Sequence, residues 1–230
     1  MKPSRSTRPP QPPETGRALN AAQKVAAHAA QEVRLIGGRW KRTPLAVPTV
    51  AGLRPTPSRV RETLFNWLGQ DLSGWRVLDA FAGSGALGFE AASRGAKSVC
   101  LIEREPLLVK SLRAMQAKLS ASEVQVVQAD ALTWMQRLVA DEPRFDLVLL
   151  DPPFDDDVLV PALKAASACV PQGGWIYLES PEPYEAAAAD APGVVPGLRI
   201  HRQGRAGAVH YHLFQCVDGM AGVLPAATGD

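Results

Sequence analysis

Residues 77–88 read VLDAFAGSGALG, and this stretch decides the fold because it joins an apolar strand to a helix through a glycine-rich loop. The run Val77–Phe81 predicts a buried strand whose apolar character is interrupted by Asp79. The glycine loop follows, and the apolar spacing of Leu87–Ser93 predicts a helix. One strand, one loop and one helix therefore form a first structural unit.

Downstream of this unit, apolar strand patterns continue to alternate with helical ones. Further strands are predicted at Ser98–Glu103, Glu123–Gln128, Phe145–Leu150 and Trp175–Glu179, and helices after Pro106, at Leu132–Val139 and at Val158–Cys169. A final hairpin is predicted from Leu198–Arg202 and Ala208–Val217. The alternation predicts an α/β fold with a mostly parallel sheet covered on both faces by helices, and antiparallel strands at one edge.

Upstream, residues 33–47 predict a β-hairpin in which Val33–Ile36 and Arg39–Val47 pair around a Gly37-Gly38 turn. A helix follows Thr56 and is ended by Gly69. Residues 1–31 are rich in proline, alanine and basic residues, which predicts disorder. We therefore divide the chain into a basic tail (1–31), an N-terminal hairpin and helix (32–70), the main α/β domain (71–217) and a flexible C-terminal tail (218–230).

The net charge of +2 conceals a strong asymmetry along the chain. Residues 1–62 hold twelve lysines and arginines against three acidic residues, whereas residues 63–230 hold thirteen basic and twenty acidic residues. A basic N-terminal element on an acidic body indicates contact with a polyanion, and a merely solubilising patch is the alternative.

The cysteines and the apolar runs bear on the cell compartment. Three cysteines lie far apart without a C-x-x-C pair, which argues against a disulfide framework or a zinc site and favours a reducing cytoplasm. No apolar run approaches the ~18 residues of a membrane-spanning helix. We expect a cytoplasmic protein without a metal.

The loop residues 83–88 match G-x-G-x-x-G, a pattern that by itself suggests a dinucleotide site. Asp79 argues against that interpretation, because a carboxylate at the strand end would repel a pyrophosphate. The same carboxylate would attract the ammonium and sulfonium groups of S-adenosylmethionine, and the glycines would let the backbone approach the cofactor.

Further cofactor contacts are expected at the next strand ends. Glu103 can accept hydrogen bonds from both ribose hydroxyls. Asp130, followed by Ala131, either accepts from the adenine amino group or caps the next helix. The candidate cofactor residues are Asp79, Phe81, Gly83, Gly85, Glu103, Asp130 and Ala131.

The sequence Asp151-Pro152-Pro153-Phe154 ends the strand Phe145–Leu150. A proline stop with an exposed phenylalanine is the structural alternative. In a doubly wound sheet, however, the first and fourth strands lie side by side, so Asp79 and Asp151 would share one cleft. The Asp151 carboxylate and the Pro152 carbonyl can each accept one hydrogen of a base amino group and thereby aim its lone pair at a methyl group. Phe154 offers a face on which the base stacks.

These motifs resemble the amino-methyltransferases that carry an (Asp/Asn)-Pro-Pro-(Phe/Tyr) loop. The chain is more closely similar to the bacterial 16S ribosomal RNA guanine-N2 methyltransferase family of the RsmD type. The resemblance rests on residues 34–38 (RLIGG), 53–56 (LRPT), 59–68 (RVRETLFNWL), 81–88 (FAGSGALG) and 151–154 (DPPF). It spans about residues 33–216, and neither tail follows the family pattern.

The resemblance implies a seven-stranded, Rossmann-like methyltransferase fold that binds S-adenosylmethionine, with Arg54 and Thr56 over the cofactor cleft. It also implies that the N-terminal hairpin contacts the small ribosomal subunit or its RNA. The candidate RNA-binding residues are Arg34, Arg39, Lys41, Arg42, Arg54, Arg59 and Arg61. The expected function is transfer of a methyl group to the N2 amine of a guanine in 16S ribosomal RNA, by a monomer.

Three other functions remain open at this point. A DNA adenine-N6 methyltransferase uses the same loop, but such enzymes usually carry a target-recognition insertion that this chain lacks. Methyltransferases that act on a protein glutamine typically carry asparagine at the position of Asp151. A non-catalytic RNA-binding protein would not need Asp79, Glu103 and Asp151 together. His210 and His212 share a strand face, but the sequence offers no third metal ligand near them.

Overall fold

The computed structural model describes residues 32–48, 56–138, 145–153, 158–184 and 195–217 of the 230-residue chain. The two predicted tails, 1–31 and 218–230, lie outside these residues, as do Arg54 and Phe154. In the described ranges, no helix is long and apolar enough to cross a bilayer.

The described residues form nine strands and five helices. The strands are β1 (Glu32–Arg34), β2 (Pro44–Ala46), β3 (Arg76–Asp79), β4 (Ser98–Glu103), β5 (Val124–Gln128), β6 (Leu147–Leu150), β7 (Trp175–Ser180), β8 (Leu198–Ala206) and β9 (Val209–Cys216). The helices are α1 (Ser58–Trp67), α2 (Ala86–Ser93), α3 (Pro106–Lys118), α4 (Ala131–Leu138) and α5 (Leu159–Ser167).

Seven of these strands form one sheet in the order β5-β4-β3-β6-β7-β9-β8. The five strands from β5 to β7 are parallel, and the hairpin of β8 and β9 adds two antiparallel strands at the edge next to β7. The predicted α/β class, the mostly parallel sheet and the antiparallel edge are thus confirmed.

The order of the strands reverses at β3, which pairs with β4 on one side and with β6 on the other. In the register of β3 and β6, Asp79 lies opposite Leu149. Asp151 follows β6 directly and therefore comes to the same end of the sheet as Asp79. Open parallel sheets bind ligands in the crevice at such a reversal, outside the carboxyl ends of the strands.

The sheet is buried on both faces because consecutive residues of its strands enter two different hydrophobic clusters. Val77 belongs to the cluster that contains buried side chains of α1, α2 and α3, whereas Leu78 belongs to the cluster that contains those of α4 and α5. The four residues of β6 are all fully buried, as a central parallel strand requires. This packing fixes the strand ends, and with them the residues of the site.

The N-terminal hairpin differs from the sequence prediction in the length of its strands. Each strand holds three paired residues, and the predicted Gly37-Gly38 turn does not connect them directly. The backbone N–H groups of Ile36 and Gly37 instead donate to the Glu90 carboxylate, at 2.7 Å each, and that of Arg39 donates to the Ser93 carbonyl at 2.8 Å. These three N–H groups therefore bind α2 and are unavailable for a longer ladder, although Leu35 still exchanges hydrogen bonds with Arg42 and Thr43 across the connection.

Glu90 also binds Arg61, one of the residues predicted to bind RNA. Arg61 is only 2% exposed, and its Nη1 lies 3.5 Å from Glu90 Oε2 and donates to the carbonyl of Arg34 at 3.1 Å. Arg94 joins the same buried carboxylate at 2.8 Å. Burial lowers the pKa of Arg61, while Glu90 opposes that shift. Arg61 therefore anchors the hairpin and α1 to α2 and cannot reach an RNA phosphate, so the prediction for this residue was wrong.

Candidate active site

A row of carboxyl groups follows the carboxyl edge of the parallel strands, one at each strand. In spatial order they are Asp130 after β5, Glu103 at the end of β4, Asp79 at the end of β3, Asp151 after β6 and Glu179 near the end of β7. All five line one cavity of about 1080 Å³. Thr56 and Pro57 border it from the N-terminal hairpin and helix (32–70), hereafter the N-terminal extension. The structure thus brings together the acidic residues predicted from the sequence and adds Glu179.

Asp79 is buried, and its two oxygens have different surroundings. Oδ2 accepts from the Gly88 backbone N–H at 2.9 Å, whereas buried Oδ1 has no hydrogen-bond partner among the described residues. Burial raises the pKa of Asp79 to about 7, with further contributions from the charges of Glu103 and Glu179. A buried acceptor without a partner fits a cationic ligand group, since such a group would satisfy both the hydrogen bond and the charge.

The third glycine of the loop is needed for this contact. A Cβ atom at Gly88 would overlap the Leu101 side chain and lie 3.0 Å from Asp79 Oδ2. Gly85 has φ of 76° and forms the N-terminal cap position of α2. Both glycines therefore shape the backbone around Asp79.

Glu103 has a role that the sequence did not reveal. Its Oε2 accepts from the N–H of Gly83, and its Oε1 accepts from the N–H of Glu105, each at 2.8 Å. The carboxylate is therefore fixed in place and also holds the glycine loop. Each oxygen keeps a further lone pair, so the expected acceptance of ribose hydroxyls stays a prediction.

For Asp130 the structure supports helix capping. Oδ1 accepts from the backbone N–H of Thr133 at 2.9 Å and from its hydroxyl at 2.8 Å, and these bonds lower the pKa of Asp130. Asp130 is nevertheless exposed and lines the cavity, together with buried Ala131 and half-buried Phe81. Contacts of these three residues with an adenine remain predicted.

The loop that begins with Asp151 and Pro152 lies on the other side of Asp79. The Thr56 hydroxyl is 3.3 Å from Asp151 Oδ2, and Pro152 is buried beside it. Burial raises the pKa of Asp151 well above its usual value, and the charges of Glu179 and Asp79 add to the shift. Phe154, the third residue predicted for this loop, is outside the described residues.

Glu179 is the residue that sequence reasoning missed. It is 2% exposed, and Oε1 accepts from the Tyr177 hydroxyl at 3.0 Å. Burial raises the pKa of Glu179, while Thr56 and Tyr177 lower it as hydrogen-bond donors. The signal was available, because Glu179 ends an apolar run, WIYL, as Asp79 and Asp151 do.

The basic residues of the hairpin are exposed but do not border the cavity. Arg34, Lys41 and Arg42 are exposed, whereas Arg39 pairs with Glu123 and lies 4.0 Å above the Trp40 ring. The connection carrying Arg39 packs on the C-terminal end of α2, which is the end away from the glycine loop. Arg59 is exposed on α1.

The two histidines of β9 lie in different surroundings, since His210 is partly exposed and His212 is buried. His212 is 1% exposed, its Nε2 accepts from the Tyr184 N–H at 3.0 Å, and burial lowers its pKa to about 4. Its Nε2 is thus already engaged as an acceptor. Within the residues that the structure describes, no group of three His, Cys, Asp or Glu side chains could hold a metal ion.

The sheet order, the glycine loop and the row of carboxyl groups define the class of seven-stranded, Rossmann-like methyltransferases. The chain belongs to the family described as Conserved hypothetical protein 95, whose profile matches residues 33–215.

Relatives with this architecture are known from several bacteria. Ribosomal RNA small subunit methyltransferase D of Escherichia coli K12 is 37% identical over 185 residues, which cover 80% of this chain and 90% of the relative. The protein of the same name from Haemophilus influenzae is 35% identical over 189 residues, covering 80% and 94%. The solved structure of E. coli yhhF superimposes with a TM-score of 0.68 at 36% identity and covers 81% of this chain and 98% of its own.

Proposed function

We propose that this protein transfers a methyl group from S-adenosylmethionine to the exocyclic N2 amine of a guanine in 16S ribosomal RNA. Methylation of small-subunit ribosomal RNA agrees with the names of its relatives. The observation that carries the chemistry is the juxtaposition of Asp79, with its unpartnered buried oxygen, and Asp151 at neighbouring strand ends in one cavity.

The cofactor side of the cavity comprises the ends of β5, β4 and β3. Asp79 Oδ1 would receive the ammonium group, Glu103 the ribose hydroxyls, and the region of Asp130 and Ala131 the adenine. When bound, S-adenosylmethionine supplies a methyl group on a positively charged sulfur. Asp79 then adds an attractive charge for this end of the cofactor, in a buried place where charges interact strongly.

The acceptor side comprises the end of β6. The Asp151 carboxylate and the Pro152 carbonyl each accept one hydrogen of the N2 amine, which turns the nitrogen lone pair towards the methyl carbon. Held in this way, the N2 nitrogen would form its bond to the methyl carbon while the departing sulfur would keep the electron pair of the bond that breaks. The nitrogen then loses one proton to Asp151 or to water. Positioning, more than acid–base strength, drives this step.

The cofactor affinity should depend on pH because Asp79 titrates near neutrality. The charged form of Asp79 binds the cation, and its pKa is about 7 without the cofactor. S-Adenosylmethionine should therefore bind more weakly as the pH falls below 7, by up to about tenfold per pH unit, and its affinity should level off about one pH unit above 7. Calorimetric titrations between pH 5.5 and 7.5, in buffers of different ionisation enthalpy, should also register proton release below pH 7.

The matched variant is Asp79→Asn, which keeps the shape and removes the titrating group. It should bind the cofactor more weakly at pH 7.5 and lose most of the pH dependence. An unchanged pH profile in this variant would place the cation elsewhere. A wild-type protein that binds no S-adenosylmethionine would favour the non-catalytic RNA-binding alternative.

RNA binding should draw on the exposed basic residues of the hairpin connection. Because phosphate contacts release counterions, neutralising Lys41 and Arg42 to glutamine should weaken binding to the small subunit and flatten its salt dependence. The slope of log affinity against log salt concentration should become shallower by up to about 0.7–0.9 per lost phosphate contact. Binding measured across salt concentrations gives this slope.

A control with the same charge change is Arg137→Gln with Lys164→Gln. Both residues are exposed on α4 and α5, which cover the opposite face of the sheet from the hairpin. This control should leave the salt slope unchanged. Equal slopes in both double variants would leave the hairpin without a specific part in RNA binding.

A DNA adenine-N6 or a protein glutamine methyltransferase remains chemically compatible with the loop, but the relatives do not favour either. We also infer that the protein acts in the cytoplasm and as a monomer. Its three cysteines are buried and lie far apart in the sequence, a pattern that fits a reducing compartment.

A further inference from the structure

The position of Glu179 in the sheet separates it from the cofactor. The row of carboxyl groups runs from Asp130 through Glu103 and Asp79 to Asp151, and Glu179 follows as the fifth. The cofactor, as proposed above, extends over the first three strand ends. Glu179 therefore lies beyond Asp151, on the side where the rest of the target base must be placed.

Glu179 and Asp151 are immediate neighbours across two parallel strands. Leu150 and Leu178 pair in the register of β6 and β7, so the next residues of the two strands lie side by side. Adjacent strands are about 4.8 Å apart. Thr56 lies beside both carboxyl groups, since its hydroxyl donates to Asp151 Oδ2 at 3.3 Å and is also close enough to lower the pKa of Glu179. Its single hydrogen serves one of the two carboxyl groups at a time.

The carboxyl group of Glu179 is held rather than free to turn. It is almost fully buried, and the Tyr177 hydroxyl donates to Oε1 at 3.0 Å. It also lines the cavity. A buried, oriented acceptor at the wall of a binding cavity selects ligands that present a donor at that point.

Guanine presents such a donor next to the amine that is methylated. Its ring atom N1 carries a hydrogen and adjoins the carbon that bears N2. In adenine the ring nitrogen beside the amine has a lone pair and no hydrogen. A carboxyl oxygen beside Asp151 would therefore accept from guanine N1–H and would face a lone pair in adenine.

We infer that Glu179 is a specificity-determining residue, which accepts the N1–H of the target guanine while Asp151 and Pro152 hold its N2 amine. This inference rests on the proposed function, because it requires a guanine in the acceptor site. It also gives a physical reason for guanine as the target of a loop whose chemistry would equally suit adenine.

The test replaces the target guanine by 2-aminopurine in 16S RNA that is reconstituted into small subunits. 2-Aminopurine keeps the amine at C2 but has an N1 lone pair in place of N1–H. Wild-type protein should methylate the guanine particle at a kcat/KM that is at least about tenfold higher. In Glu179→Gln this ratio should fall severalfold or more, because an amide offers a donor as well as an acceptor.

The comparison of ratios separates specificity from folding. Tyr177→Phe removes the hydroxyl that orients Glu179 but keeps the carboxyl group, so it should slow methylation mainly of the guanine particle and lower the ratio less than Glu179→Gln does. If wild-type protein methylates both particles equally, or if Glu179→Gln slows both by the same factor, the inference is wrong.

This result is distinct from a failure of the proposed function, in which wild-type protein would not methylate the guanine particle at N2 at all. If Glu179→Gln does not fold, the ratio of kcat/KM on the two particles is measured for wild-type protein and for Glu179→Asp, which keeps the acceptor. A ratio well above one is then expected for both proteins.

Discussion

Replacing Asp151 by alanine should lower kcat by at least about a hundredfold while the protein stays folded. The carboxylate matters mainly when the amine is aligned for attack, so its loss should appear in kcat more than in substrate binding. Affinity for S-adenosylmethionine should change within severalfold, since Asp79 and Glu103 remain. Single-turnover methylation and calorimetric titration measure the two quantities separately.

Asp146→Ala is the matched control for this variant. Asp146 precedes β6 at the opposite end of the strand and pairs with Arg76 at 3.6 Å, away from the cavity. It should retain nearly the full kcat. Turnover of Asp151→Ala within tenfold of wild type would contradict the role of Asp151 in holding the amine.

The second large effect is expected on stability, from Glu90→Ala. This change leaves the buried guanidinium groups of Arg61 and Arg94 without their carboxylate and deprives the N–H groups of Ile36 and Gly37 of their acceptor. Removing one partner of a buried ion pair costs about 3–5 kcal/mol of the free energy of unfolding. Urea unfolding monitored by circular dichroism gives this value.

A glutamate on the surface of the same region provides the comparison. Glu62 lies on α1 next to Arg61 but is exposed. Glu62→Ala should change the free energy of unfolding by no more than about 0.5 kcal/mol. Equal effects of the two substitutions would show that the buried cluster does not hold the N-terminal extension to the domain.

The strands could be predicted from sequence because apolar runs and glycine loops are local signals, and the adjacency of the first and fourth strands follows from the doubly wound pattern. Ser98–Glu103 has the same bounds in the structure as in the prediction. The parallel order then placed Asp79 and Asp151 together, since strand ends at a reversal of the sheet must adjoin. These two residues needed no information beyond the pattern.

The residues that could not be predicted depend on contacts between distant parts of the chain. Arg61 belongs to a basic sequence and resembles its exposed neighbours, but Glu90, 29 positions away, buries it in an ion pair. The hairpin strands are short for the same reason, because Glu90 and Ser93 bind the backbone between them. Glu179 shows a different limit. Its position after an apolar strand was visible, but its relation to Asp151 depends on the pairing of β6 with β7.

Nucleoside mass spectrometry of 16S ribosomal RNA shows directly whether the protein methylates guanine at N2. Small subunits from a strain that lacks the gene would be incubated with the purified protein and S-adenosylmethionine carrying a deuterated methyl group. Labelled N2-methylguanosine is expected in the RNA with wild-type protein, and none with Asp151→Ala. Label in N6-methyladenosine or in protein, or an RNA that acquires no label under conditions where the protein binds the cofactor, would contradict the proposed function.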